Sequence, residues 1–265
     1  VTTVIPVDED QGGNLVMATK NGLIKKTALS EFRNLRASGL IAVTLREDDE
    51  LIGVTLTDGS RELLLGTRQG MSIRFHEDDV RTMGRTAMGV RSIDLAPGDE
   101  VVSMSAVQEG CEVLTISENG YGKRTPEAEY RVQSRGGKGI KAMQLTDKTG
   151  PLSALMLVRE DEDVMLISDD GTIIRMAVAD ISTQSRSTQG VRLMRLADSS
   201  RVVAVTTTEK IEETDEEASA DASAALTEAD PNDPDTAAPD DLSYAGDEDR
   251  DIARLLERAE EDDDI

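Results

Sequence analysis

The chain has 265 residues and a formal net charge of −24, with one cysteine, one histidine and no tryptophan. The single cysteine, Cys111, excludes an intrachain disulfide and favours a reducing, cytoplasmic location, and no apolar run is long enough for a transmembrane helix. The single histidine, His76, excludes a histidine-based triad and a multi-histidine metal site, and the shortage of aromatic residues argues against a stacking platform for single-stranded nucleic acid.

The first predicted element is a strand over VTTVIPV (1–7). This segment resembles the last strand of the repeat unit that follows, for example EVVSMSAV (100–107). We therefore expect the chain to start at the last strand of an upstream blade, with further blades preceding it in the natural protein.

Four repeats of about 50 residues follow within residues 1–208. Two glycines mark each repeat, with spacings of 48 to 51 residues between successive copies. The first glycines are Gly22, Gly70, Gly120 and Gly171, and the second glycines are Gly39, Gly89, Gly139 and Gly190. Such self-similarity predicts a repeat architecture.

Each repeat is predicted to contain four short strands, as the second copy illustrates. ELLLGT (62–67) and MSIRF (71–75) flank a Gln-Gly pair that suits a tight hairpin. GVRSIDL (89–95) is predicted as the third strand and EVVSMSAV (100–107) as the fourth. The first strand is apolar nearly throughout, which indicates that both of its faces are covered. These features predict an all-β fold of propeller-like blades, and the lack of a 3.6-residue periodicity excludes a helical repeat.

The segment QSRGGKG (133–139) in the third repeat combines three glycines with two cations. Glycine allows the backbone to approach a ligand closely, and the side chains of Arg135 and Lys138 offer donors suited to phosphate. The pattern favours binding of a polyanion, and a glycine-rich surface turn is the alternative interpretation.

Basic residues are concentrated in the same part of every repeat, between the first glycine and the stretch just past the second. These segments hold 19 basic and 7 acidic residues, whereas the rest of residues 1–208 holds 6 basic and 23 acidic residues. Because the blades repeat around an axis, we predict a continuous basic belt that contacts phosphates, and an acidic face elsewhere. Charge that served solubility alone would mix the two signs.

Residues 209–265 are predicted to form a disordered acidic tail. They hold 23 acidic residues against 4 basic ones and few large apolar side chains, a composition that cannot bury enough surface to offset the entropy of ordering. A short helix at 250–260 is the exception, because Ile252, Leu255, Leu256 and Ala259 fall on one helical face.

The QSRGGKG segment resembles the gyrase A box, Gln-Arg-Arg-Gly-Gly-Lys-Gly, of the C-terminal DNA-wrapping domain in the A subunit of bacterial DNA gyrase, and differs from it only at Ser134. The segments NGLIKKTALSEF (21–32), DELIGVTLTDG (49–59), MGVRSIDL (88–95) and ENGYGKRTPEAEYR (118–131) resemble blades of the same domain. The family's box lies in its first blade, whereas this segment lies in the third visible repeat. It is therefore either the principal box or a second, box-like copy.

This resemblance implies a six-bladed β-pinwheel, a propeller variant whose neighbouring blades share strands; four of the blades are visible here. It also implies sequence-independent binding and wrapping of double-stranded DNA for negative supercoiling, within a heterotetramer of two gyrase A and two gyrase B subunits. The chain is expected to have no catalysis of its own and no bound cofactor or metal, since the family's DNA-cleaving tyrosine lies in an upstream domain and ATP and Mg are used elsewhere in the complex. The alternatives are the corresponding domain of topoisomerase IV and a propeller module for protein–protein interaction.

The residues predicted to contact DNA fall into two groups. By motif match they are Gln133, Arg135, Gly136, Gly137, Lys138 and Gly139. By charge alone they are Lys25, Lys26, Arg33, Arg36, Arg74, Arg81, Arg85, Arg91, Lys123, Arg124, Arg131, Lys141, Arg175, Arg186 and Arg192.

Overall fold

The computed structural model describes residues 5–6, 12–34, 37–197 and 199–210. Of the predicted opening strand (1–7), only Ile5 and Pro6 are among these residues, and neither belongs to a strand. The rest of that segment and the tail from residue 211 onward, with its predicted helix at 250–260, lie outside the described residues. No helix in the described part of the chain is long and apolar enough to cross a membrane.

The secondary structure of the described residues consists of β-strands and short 3-10 helices. The first two repeats contain β1 (Asn14–Thr19), β2 (Leu23–Ala28), β3 (Leu51–Thr57), β4 (Glu62–Thr67), β5 (Met71–His76), β6 (Val90–Arg91) and β7 (Val101–Ala106). The last two contain β8 (Glu112–Ser117), β9 (Tyr121–Pro126), β10 (Ile140–Lys141), β11 (Leu152–Val158), β12 (Glu162–Ser168), β13 (Ile173–Ala177), β14 (Val191–Arg192) and β15 (Val202–Glu209). A 3-10 helix follows the second strand of each repeat, at Leu29–Phe32, Glu77–Asp79, Glu127–Glu129 and Val178–Asp180.

The strands form four antiparallel sheets, and the predicted all-β, propeller-like fold is confirmed. The orders are β3-β1-β2-β6, β7-β4-β5-β10, β11-β8-β9-β14 and β15-β12-β13. Each of the first three sheets therefore takes its outermost strand from the following repeat, which is the strand sharing that the pinwheel resemblance implied. The last sheet has three strands among the described residues.

The third strand of the second, third and fourth repeats is much shorter than predicted, and residues 37–46 of the first repeat form no strand. GVRSIDL (89–95) was expected to be a strand throughout, but only Val90–Arg91 pairs, with Ile24 and Leu23 of β2. The chain then turns inward, where both the backbone nitrogen and the hydroxyl of Ser92 donate to the Gly22 carbonyl oxygen at 2.8 Å. Residues after Arg91 therefore leave the ladder and cross to the fourth strand.

The second glycine of the second, third and fourth repeats is required by its close approach to the preceding blade. A Cβ added to Gly139, at φ +75°, would lie 2.2 Å from the Ser72 carbonyl oxygen of β5. Only glycine combines this positive φ with that separation.

The strand order determines which side of the blades is inner and which is outer. The fourth strands pack against one another in sequence, β3 against β7, β7 against β11 and β11 against β15, so they line the inner side. The two-residue strands β6, β10 and β14 lie at the opposite edges of their sheets. They form the outer rim together with the loops that lead into them, and we call residues 81–91, 131–141 and 182–192 the rim segments.

Candidate nucleic-acid interface

The rim segments carry positive charge only. Together they contain nine lysine and arginine residues and no aspartate or glutamate. Six of the nine side chains are exposed: Arg81, Arg91, Arg131, Lys138, Lys141 and Arg192. Exposed cations of the predicted basic belt therefore recur on the equivalent outer segments of the second, third and fourth repeats.

Two of the exposed cations, Arg91 and Lys141, make weak local contacts. Nη1 of Arg91 lies 3.2 Å from Oδ1 of Asp94, and the Arg91 side chain is 66% exposed. Nζ of Lys141 donates to the Gln144 side-chain oxygen at 2.7 Å. Exposed pairs of this kind contribute little free energy, so these cations can exchange such partners for a phosphate.

The QSRGGKG segment lies on the outer rim with its glycines against the preceding repeat. Gln133 is half-buried, and its backbone nitrogen donates to the Arg74 carbonyl oxygen at 2.7 Å. Gly136, at φ +82°, donates from its backbone nitrogen to the Ser92 carbonyl oxygen at 2.8 Å, and the Gly137 carbonyl accepts from the Asp94 backbone nitrogen. Lys138 points outward and is exposed.

Three predicted cations occupy the same position of the second strand in successive repeats and are enclosed by partners. They are Lys26, Arg74 and Arg124. Arg124 donates from Nη1 to Glu112 at 2.8 Å, and its Nε and Nη2 donate to the carbonyl oxygens of Ile181 and Ala179 in the next repeat at 2.7 and 3.1 Å. Lys26 and Arg74 reach the following repeat in the same way, through Glu77 and Glu127. These cations tie each blade to the next.

Lys25 and Lys123 are the most deeply buried cations, with 1% and 0% of their surface exposed. Nζ of Lys25 donates to the Arg85 carbonyl oxygen, and Nζ of Lys123 donates to the Arg186 carbonyl oxygen at 2.6 Å. Burial is the main cause that lowers the pKa of both amines to about 8, because it penalises the charged form. Each buried amine therefore forms a hydrogen bond to the backbone of the rim segment in the following repeat.

The five enclosed cations do not face the solvent on the rim, so a DNA phosphate cannot reach them without displacing their partners. We therefore leave Lys25, Lys26, Arg74, Lys123 and Arg124 out of the surface proposed below. Lys25–Lys26 and Lys123–Arg124 are adjacent pairs on the second strand, and the count of charges by segment did not distinguish them from exposed cations.

The remaining predicted residues belong neither to the exposed cations of the rim segments nor to the five enclosed cations. Arg33 is exposed, Arg36 lies outside the described residues, and Arg175 is exposed on β13 with Nε 2.8 Å from Asp163. Arg85, Arg135 and Arg186 are half-buried; Arg135 and Arg186 contact the preceding rim segment, and Arg85 contacts Ile41 of the first repeat. Two exposed cations of the basic segments, Arg46 and Arg195, were missing from the predicted set although the same charge argument covers them.

Metal ligands are not clustered in the described part of the chain: no three His, Cys, Asp or Glu side chains there are placed to hold an ion. Tyr121 is buried, and its hydroxyl accepts from Nη2 of Arg192 at 3.0 Å. Its ring lies 5.6 Å from the Arg192 guanidinium, so it orients this rim cation.

The repeats coincide with a known family. The model described as DNA gyrase C-terminal domain, beta-propeller, matches residues 13–58, 61–108, 112–159 and 162–209, one stretch for each repeat. The DNA gyrase A subunit of Halalkalibacterium halodurans is 62% identical over 206 residues, which make up 77% of this chain and 25% of that protein. The chain thus spans about a quarter of the length of this curated relative.

Two solved structures share the architecture. The C-terminal domain of DNA topoisomerase IV matches with a TM-score of 0.73 at 27% identity, covering 84% of this chain and 70% of that one. The DNA gyrase A C-terminal domain matches with a TM-score of 0.69 at 25% identity, covering 76% of this chain and 67% of that one.

Proposed function

The chain belongs to the DNA gyrase C-terminal domain family, and we propose that it binds duplex DNA along its rim segments and wraps it without reading base sequence. In the intact protein this wrapping would present a DNA segment to the strand-passage machinery of a type II topoisomerase, DNA gyrase, and so favour negative supercoiling.

The observation that carries the proposal is the charge of the rim segments, which hold nine cations and no carboxylate in a chain of net charge −24. Because an acidic protein has no aspartate or glutamate in these segments, their charge indicates an anionic partner. Exposed lysine and arginine side chains repeated on successive blades match a phosphate backbone that bends around the outside of the fold.

Contacts with phosphates position DNA but carry no direct sequence information. Base reading in the major groove commonly uses an α-helix or a two-stranded ribbon that enters the groove. The described rim instead consists of loops and two-residue strands that lie flat against the sheets. We therefore expect unrelated duplexes of equal length to compete within about 10-fold, or about 1.4 kcal/mol.

The proposed partners of the whole protein follow from its relatives. We propose that this chain is the part of the gyrase A subunit that acts with the gyrase B subunit in the cytoplasm, and that strand cleavage, ATP and Mg belong to other parts of that complex. The topoisomerase IV domain is the second candidate because its fold matches with a TM-score of 0.73. The 62% identity to the A subunit of a DNA gyrase favours gyrase.

Wrapping is tested by its effect on DNA topology. Relaxed circular DNA is incubated with the chain, a type I topoisomerase relaxes the unbound region, and the linking number is measured after the protein is removed. We expect a shift that grows with protein concentration and is alike for unrelated plasmids. Charge reversal by Arg91→Glu with Lys141→Glu should abolish it.

Two results would contradict the proposal in different ways. DNA binding without any change in linking number would exclude wrapping. No DNA binding at low salt would favour a protein–protein interaction module instead.

A further inference from the structure

Three half-buried arginines of the rim make the same contact in successive repeats. Each lies four residues before the second glycine, and its guanidinium donates to the carbonyl of the residue two positions after the second glycine of the preceding repeat. We call Arg85, Arg135 and Arg186 the link arginines. They donate to Ile41 at 3.5 Å, to Arg91, and to Lys141 at 2.6 Å, respectively.

Arg135 makes the most extensive contact of this kind. Its Nη1 donates to the Arg91 carbonyl oxygen, and its Nε donates to the Asp79 carbonyl oxygen at 3.0 Å. A guanidinium grips a phosphate through two parallel N–H groups on one edge. The guanidinium has two such edges, Nε with Nη2 and Nη1 with Nη2. Because Nε and Nη1 of Arg135 both donate to backbone carbonyls, neither edge has both of its N–H groups available for a phosphate.

Arg186 makes one bond of this kind. Its Nη1 donates to the Lys141 carbonyl oxygen, its Nε is buried without a hydrogen-bond partner, and its own carbonyl accepts from the buried Lys123 amine. The backbone nitrogen of Arg186 donates to the Glu129 carboxylate at 3.0 Å. A carboxylate and backbone contacts surround this arginine, which is a poor environment for a phosphate.

Two of the three residues whose carbonyls accept these bonds carry exposed cations. They are Arg91 and Lys141, and both occupy the two-residue outer strands. The bonds from Arg135 and Arg186 therefore fix the backbone from which the preceding rim segment projects a cation, whereas Arg85 donates to Ile41, which carries no charge.

We propose that Arg135 and Arg186 are positioning residues that set the spacing of the rim cations Arg91 and Lys141, and that these cations contact the DNA phosphates. This inference depends on the proposed DNA binding. It separates two classes of basic residue in the rim segments that charge alone cannot distinguish.

Lysine in place of arginine distinguishes the two roles. Arg135→Lys keeps the charge, but a single ammonium cannot reproduce the fork that reaches Asp79 and Arg91 together. Arg91→Lys keeps the charge at a proposed contact and is the matched control. DNA bending is measured by energy transfer between dyes at the two ends of a short duplex, and the number of phosphate contacts by the slope of log K against log salt.

We expect Arg91→Lys to bend DNA like wild type, and Arg91→Ala to lower the salt slope by about 0.9, the value for one phosphate contact. We expect Arg135→Lys to lose most of the energy-transfer change while its salt slope stays within about 0.3 of wild type. The thermal midpoint is measured for every variant. If Arg135→Lys does not fold, Arg186→Lys provides the same comparison at the equivalent position.

Wild-type bending by Arg135→Lys, together with a slope lowered by about 0.9 in Arg135→Ala, would make Arg135 a phosphate contact and overturn the inference. Loss of bending by Arg91→Lys to the same degree as by Arg135→Lys would also overturn it. Failure of the wild-type chain to bind DNA at all would instead overturn the proposed function.

Discussion

Replacing Gly139 by alanine is expected to destabilise the fold much more than replacing Gly39, the equivalent glycine of the first repeat. The two residues have nearly the same backbone conformation, with φ values of +75° and +77°. A Cβ on Gly139 would lie 2.2 Å from the Ser72 carbonyl oxygen and 2.9 Å from its carbon, whereas a Cβ on Gly39 would meet no described atom within 4 Å. Gly39 is thus a matched control for the backbone conformation alone.

The magnitude follows from two contributions. A positive φ costs an alanine about 1–2 kcal/mol, and this cost is common to both variants. The clash at Gly139 is relieved only if β10 moves away from β5, which breaks the pairing of Ile140 with Ser72 and of Lys141 with Met71. Losing about two hydrogen bonds at roughly 0.5–1.5 kcal/mol each adds about 1–3 kcal/mol. We therefore expect about 2–5 kcal/mol for Gly139→Ala and about 1–2 kcal/mol for Gly39→Ala.

The assay is urea denaturation followed by circular dichroism, with the thermal midpoint as a second measure. For a chain of this size each kcal/mol corresponds to roughly 2–4 °C in the midpoint. Equal losses of stability in the two variants would mean that strand sharing between blades does not select glycine at this position.

Three further predictions concern the buried cations and the tail. Arg124→Ala should lower the free energy of unfolding by about 3–5 kcal/mol, because it breaks an enclosed ion pair and two hydrogen bonds to the next blade. The control Arg91→Ala should change the free energy of unfolding by less than about 0.5 kcal/mol. Chemical denaturation of both variants measures the difference. The pKa of Lys123 is lowered to about 8 in the fold from 10.5, so the unfolded chain binds more protons between these values and stability from this group rises with pH there. Lys123→Met should flatten that rise in denaturation curves taken from pH 8 to 10.5, and an unchanged pH profile would contradict the assignment. Truncation after Lys210 keeps β15 whole and removes most of the acidic tail, and it should tighten DNA binding. The effect should be largest at low salt, because attraction between the tail and the rim is least screened there. Equal DNA affinities of the full and truncated chains at low salt would mean that the tail serves solubility alone.

The repeat architecture could be predicted from the sequence because its markers are local. The two glycines per repeat lie at positions that require positive φ, and the apolar first strands are buried on both faces, so spacing and composition carried the information. The length of the third strand could not be predicted in this way. The observed strand, Val90–Arg91, is shorter than the predicted one, GVRSIDL (89–95), because Ser92 bonds to Gly22 and leaves the ladder. This contact joins residues 70 positions apart, so no local pattern encodes it.

The basic surface was predictable only as a segment average. Lys25 and Lys26 were counted with the belt, but the hairpin places both against the following repeat and buries them. Glu112 was counted on the acidic side of the repeat, yet it pairs with Arg124 inside the blade. Which cations face outward depends on strand pairing between repeats, and this is not encoded in the charge of any one segment.

The salt dependence of DNA binding tests the central claim most directly. The full chain is compared with a variant in which four exposed rim cations, Arg91, Arg131, Lys138 and Lys141, are replaced by alanine. We predict a steep fall of log K with log salt for the wild-type chain and a slope smaller by up to about 3.6 in the variant, at about 0.9 for each phosphate contact. Undiminished binding and an unchanged slope in the variant would contradict the assignment of DNA binding to the outer rim.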